Sequence, residues 1–181
     1  MKRLVLPLVS LSCVAGAMAQ NDGNNWTGTW ATAVEFTGPG DMPKSSLSNR
    51  ALREIVQVSI SGDVLRMQLS NIHSKEPVEI KSVFIANALD SCDIDVKSAK
   101  YLTFGGKKSV TIAPGEAVFS DDVKFDLQPL QRLAITVNYG ENTPVNASSH
   151  RGSRTTSYII NGEAKPKTKF SDAEKLEHWY N

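Results

Sequence analysis

The 181-residue sequence predicts an all-β fold, a jelly-roll-like antiparallel sandwich, on three observations. Apolar residues alternate with polar ones over many short runs, which is the period of a strand rather than of a helix. Turn-forming residues punctuate the chain at spacings of roughly ten residues, the rhythm of sandwiches and barrels. No long amphipathic helical pattern competes with either signal.

The elements follow in order. Thr37 to Asn49 carries Gly38-Pro39-Gly40, Pro43 and several serines and reads as a long loop. Ile55, Val58 and Ile60 precede Ser61-Gly62-Asp63, and Leu65, Met67 and Leu69 then share one face, so the pair is expected to form a hairpin. Val78 to Ala86 is rich in β-branched residues. Tyr101 to Phe104 and Ser109 to Ile112 flank Gly105-Gly106-Lys107-Lys108 as an expected second hairpin. Val118 to Ser120, Val123 to Phe125, Leu133 to Tyr139 and Thr155 to Ile160 complete the strands. Near the end, Ser171 with Glu174 three positions on has the form of a helix start, leading to His178-Trp179-Tyr180-Asn181.

The first 19 residues have the form of a secretory signal peptide. Lys2 and Arg3 precede an apolar run from Leu4 to Ala17, and Ala17-Met18-Ala19 supplies a small-x-small cleavage pattern. The run is shorter than the about 20 apolar residues a membrane span needs, and Pro7, Ser10 and Ser12 interrupt it. The expected organisation is a signal peptide at 1–19, a polar lead-in at 20–25, one β domain at 26–162, and a linker with the start of a further domain at 163–181. The expected location is secreted or periplasmic in a bacterium. After cleavage roughly 160 residues remain, enough for one hydrophobic core. Lys2 and Arg3 leave with the leader, so 18 basic residues face 19 acidic ones at a formal charge of −1. That balance argues against nucleic acid as a partner. Cys13 departs as well, leaving Cys92 with no internal disulfide partner.

Chemistry of the chain's own is hard to build. A serine nucleophile needs a histidine within hydrogen-bond reach and a carboxylate to orient it. His73, His150 and His178 are the only histidines, and no Gly-x-Ser-x-Gly elbow occurs. Spacing gives no metal site and no phosphate-cradling loop, and no cofactor is expected. Asp121-Asp122 suits a turn better than a calcium loop. Binding is the stronger alternative. Trp26 and Trp30, four apart in a strand-like stretch, would share a face, as a stacking platform or as core residues. Arg66 faces opposite Leu65, Met67 and Leu69 in a regular strand, and Asn71 follows at its end. His150 lies in a polar segment with Arg151 and Arg154 that suits an anion as well as plain solvent. Trp179 and Tyr180 are candidates for contact with a further domain.

Several stretches resemble the accessory domain that precedes the catalytic domain in bacterial SGNH/GDSL-type hydrolases. They are Trp26-Thr27-Gly28-Thr29-Trp30-Ala31-Thr32-Ala33, Leu52-Arg53-Glu54-Ile55-Val56 and Leu65-Arg66-Met67-Gln68-Leu69-Ser70-Asn71. Leu102 to Gly106, Ser109 to Gly115, Ser120 to Val123 and Thr156 to Ile159 continue the likeness in the same order. The resemblance implies a β-sandwich whose partner is a catalytic SGNH domain in the parent chain, the further domain expected to start within 163–181; a glycan is a further candidate partner, on the platform that Trp26 and Trp30 allow. In that family a Gly-Asp-Ser strand end supplies the nucleophile and a later Asp-x-x-His supplies acid and base. Here Gly40-Asp41 and Gly62-Asp63 are followed by Met42 and Val64, and no histidine has an Asp three positions before it. The implied function is a non-catalytic accessory domain, with a self-contained carbohydrate-binding module as the alternative.

Overall fold

The computed structural model describes residues 26–180; the leader and the polar lead-in lie outside them. Their secondary structure is all β apart from two single 3-10 turns, Pro39–Asp41 and Val96–Ser98. The strands are β1 (Glu35–Phe36), β2 (Arg50–Gln57), β3 (Gly62–Leu65), β4 (Gln68–Ser70), β5 (Val78–Asn87), β6 (Lys100–Leu102) and β7 (Val110–Ile112). After them come β8 (Ala117–Phe119), β9 (Val123–Leu127), β10 (Arg132–Tyr139), β11 (Ser148–Arg151), β12 (Ser157–Asn161), β13 (Glu174–Leu176) and β14 (His178–Tyr180).

A seven-stranded antiparallel sheet organises the molecule in the order β13-β12-β2-β10-β5-β6, with β7 beside β6 along the same edge of β5. Three smaller antiparallel sheets, β1-β11-β14, β3-β9 and β4-β8, accompany it. Side chains alternate across the central sheet as the pleat requires. Leu52, Val56, Val83, Ile85, Leu133, Val137 and Ile159 join a core that includes Leu69, Phe125, Leu127 and Tyr180 of the smaller sheets. Ala51, Ile55, Phe84, Ala86, Ala134 and Tyr158 form a second apolar layer with Ile94, Ala164 and Phe170. Two irregular segments cover that layer, one from Leu89 to Ala99 and one from Glu163 to Ala173. Because both faces are covered, β2 is buried at six successive positions, and the neighbours Arg53 and Glu54 are buried on opposite faces.

The pairing departs from both expected hairpins. β2 is flanked by β10 and β12, so no edge is left for the strand that follows it. The chain leaves the central sheet after Val58, and β3 and β4 pair with β9 and β8 instead. Gly105 and Gly106 do make a turn, with φ of 58° and 77°. Yet β6 and β7 each pair with β5, whose ten residues accommodate both. Asp121 closes that turn: its carboxylate accepts from the amides of Gly105 and Gly106 at 2.9 and 2.7 Å and from the Thr103 hydroxyl at 2.6 Å. These donors hold its pKa below the usual carboxylate value, Thr103 foremost.

Other expectations change at the termini. Residues 26–34 form an irregular strap rather than a strand, and β1 is only two residues long. The polar segment at 148–151 is a strand, held between β1 and β14. The expected helix start at Ser171 is a turn, closed by the Ala173 amide on the Phe170 carbonyl, and the chain then adds β13 to the free edge of β12. An open sheet edge offers unpaired backbone groups, and their pairing outweighs a capping signature only a few residues long.

Asn138 clamps this final segment. Its side chain donates to the Ala164 carbonyl at 3.0 Å, accepts from the Ala164 amide at 2.7 Å and donates to Ser82 Oγ at 2.9 Å, all in a fully buried site. Asn138→Ala leaves both Ala164 backbone groups without partners. The expected loss is about 2 kcal/mol, because buried unpaired groups cost roughly 1–3 kcal/mol each and partial relaxation recovers some of it. A lower urea midpoint with an unchanged slope is the expected result; an unchanged midpoint would remove the clamp from the account.

Candidate ligand-binding cleft

Arg66 sits where one run of chain passes between two small sheets. β3 ends at Leu65 and β4 begins at Gln68, so Arg66 and Met67 belong to neither. Met67 fixes the crossing: its amide donates to Ser120 Oγ at 3.0 Å, and its carbonyl accepts from the Ser120 amide at 2.8 Å. The guanidinium carbon of Arg66 lies over two rings, 4.5 Å from the Trp26 centroid and 4.6 Å from that of Phe119. Such contacts draw on the negative ring faces and do not use the N–H donors of the cation, which stay free for a ligand. Among the described residues those donors make no hydrogen bond, and their nitrogens are not buried.

Thr29 places the strap that carries Trp26. Its carbonyl accepts from the Ser59 amide at 2.9 Å, and its hydroxyl accepts from the Ile60 amide at 3.1 Å. Between strap and sheet lies an open cleft of about 720 Å³, lined by Trp26, Ile60, Val64, Arg66, Phe119 and Asp122 among others. Ile60, Val64 and Phe119 are exposed there. A second cavity of about 230 Å³ is lined by Trp30, Val56, Val58, Leu65, Met67 and Ile85 among others. The two share Thr29, Trp30, Leu65, Arg66, Gln68 and Leu127, so Arg66 stands at their junction.

The remaining candidates separate into two groups. Trp30, His150 and Trp179 come together: Trp30 meets Trp179 edge-on at 5.1 Å, and His150 stacks on Trp179 at 5.9 Å. His150 Nδ1–H donates to the Ala33 carbonyl at 2.9 Å, and both tryptophans pack against the core. Asn71 and Tyr180 are buried in structural roles. Asn71 donates to the carbonyls of Glu76, Ile112 and Ala113, and the Tyr180 hydroxyl donates to the Asp41 carbonyl at 2.6 Å. Arg151, one of the two arginines in the anion reading, pairs with Glu35 at 3.1 Å and Asp41 at 3.4 Å.

The imidazoles are held by main-chain groups. His73 Nε2 lies 3.2 Å from the Val34 carbonyl, and His178 Nδ1 lies 2.6 Å from the Glu177 carbonyl and 3.3 Å from the Gly152 amide nitrogen. Among the described residues no imidazole is hydrogen-bonded to a serine hydroxyl, and no three His, Cys, Asp or Glu side chains are placed to hold a metal ion. Cys92 is a half-buried free thiol. No helix among the described residues is long and apolar enough to cross a membrane.

Sequence reasoning found Trp26 and Arg66 but missed Phe119. Its place in Val118-Phe119-Ser120, between two residues that turn inward, was the available signal for an outward ring. No protein-family model matches the chain, and no curated protein matches it.

Proposed function

We propose that the chain is a non-catalytic, jelly-roll-like sandwich domain accessory to an exported SGNH/GDSL-type hydrolase, with ester or acyl hydrolysis belonging to a catalytic domain of the parent protein. Export by a leader cleaved near Ala19 is part of the same reading. The supporting observation is what the residues of the resembling stretches do. Arg53 is buried against Phe170, Asn71 pins three carbonyls, and Gly105, Gly106 and Asp121 make one closed turn. Motif residues spent on building the fold, with each imidazole tied to main chain, suit a scaffold rather than a catalyst. The accessory unit then takes in residues 163–180 as well, since Ala164, Phe170 and Tyr180 are buried in its two apolar layers.

The test is hydrolysis of short p-nitrophenyl acyl esters by the leaderless chain. Its expected rate is the spontaneous one. Turnover that disappears in His73→Ala or His150→Ala would overturn the reading.

A carbohydrate-binding module is the second reading, favoured by two aromatic rings and a guanidinium gathered at the edge of an open cleft. Retarded migration of the chain in gels containing neutral polysaccharide, abolished by Trp26→Ala, would favour it over the first.

A further inference from the structure

We infer that the Arg66 cleft and the cavity behind it form a binding site for a medium-chain alkyl carboxylate, with the carboxylate on the Arg66 edge and the tail in the cavity. This inference is independent of the hydrolase reading. The cavity is the first observation. It is a partly open groove of about 230 Å³ that runs in beneath the strap, rimmed by exposed Ala31 and Gln68 and floored by buried Val56, Val58, Ile85 and Leu133. Its walls are mainly aliphatic, including Val56, Val58, Ile85, Leu133 and Ile135. An apolar cavity of about 150 Å³ has room for benzene, so by that volume scale this groove suits a tail of roughly six to ten carbons.

The second observation is the charge at its mouth. Arg66 belongs to both cavities and has no carboxylate partner among the described residues. Trp26 and Phe119 both present their ring faces to the guanidinium, whose N–H groups make no hydrogen bond among the described residues and are left to a ligand. Paired N–H groups of a guanidinium match the two oxygens of a carboxylate. Gln68 lines both cavities and offers a further donor. Asp122 lines the outer cleft, makes no ion pair with Arg66, and disfavours a doubly charged head such as a phosphate monoester. The same rings explain why an acidic sugar fits less well: each gives one face to Arg66, and the space behind is aliphatic rather than polar.

Calorimetric titration of the delipidated chain with octanoate, octanol, acetate and glucuronate separates the contributions. Octanoate is expected to bind, octanol to bind at least tenfold more weakly, and acetate and glucuronate not at all. Arg66→Gln, which changes an accessible side chain, is expected to weaken octanoate at least tenfold and leave octanol unchanged. Methyl resonances of Met67 should shift with octanoate and not with acetate, a reading that requires no variant. Absence of octanoate binding, binding indifferent to Arg66→Gln, or glucuronate binding as tight as octanoate would each overturn the assignment.

Discussion

Phe170→Ala is expected to lower the stability of the domain by about 4 kcal/mol, within the roughly 3–5 kcal/mol range for loss of a buried phenylalanine. Phe170 is 1% exposed and closes the second apolar layer over the central sheet. Its ring also lies 3.9 Å from the guanidinium carbon of Arg53, itself almost fully buried. Arg53 has few other partners: Nε donates to Thr136 Oγ1 at 3.0 Å, Nη1 donates to the Cys92 carbonyl at 2.7 Å, and Nη2 has no hydrogen-bond partner among the described residues. Burial pushes its pKa down to about 10, eased by Cys92 and Asp93. Removing the ring therefore strips a buried cation of one face as well as opening a cavity. Phe170→Leu keeps most of the apolar volume and loses only the ring. Urea denaturation of both variants divides the loss into packing and cation–ring parts. A residue in a free linker would change stability by no more than about 0.5 kcal/mol. A loss below about 1 kcal/mol for Phe170→Ala would detach residues 163–173 from the core.

That contrast also shows where the sequence is readable. β5, β10 and β12 lie close to the runs whose β-branched and apolar residues marked them, because that preference is local to the strand. Partner choice depends on residues far along the chain: β2 meets β10 about eighty positions away and β12 about a hundred. Local turn residues suggested hairpins, but an edge already occupied cannot accept the next strand. The segment at 163–173 looked linker-like because Lys165, Lys167 and Lys169 dominate its composition, while its fixed points are only Ala164 and Phe170. The site was legible by residue type more than by geometry. Trp26 and Arg66 were singled out separately, and their contact depends on the Thr29 tie and on the break after Leu65, neither of which has a period to detect. Asn71 and Tyr180 carried the same polar and aromatic signals, yet both are structural.

Glu54 sets the expected pH dependence. It is buried on the face opposite Arg53, and its carboxyl accepts from the Tyr180 amide at 2.6 Å, tying β14 to the central sheet. Tyr139 and Tyr180 face it from β10 and β14, and both have pKa values raised, chiefly by burial. Burial pushes Glu54 up to about 8, against the single lowering influence of the Tyr180 amide. Between the ordinary value of 4.5 and about 8, the folded chain keeps a proton that the unfolded chain releases. The contribution is therefore fully present below the unfolded value and is lost as pH rises through the folded one, with a slope of up to about 1.4 kcal/mol per pH unit. Glu54→Gln retains an acceptor for the Tyr180 amide and has no charge to bury. Its melting temperature is expected to match the parent's near pH 5 and to exceed it at pH 8 by an amount reflecting a few kcal/mol. Taking the difference between the two proteins at each pH cancels the opposite, acid-side loss from Asp121 and Glu35, whose pKa values are lowered. Amide exchange should locate the effect, with β14 losing protection in the parent as pH rises, after correction for the intrinsic rate, and keeping it in Glu54→Gln. A difference in melting temperature that stays constant from pH 5 to 8 would mean that Glu54 carries the same charge in both states and is reached by water.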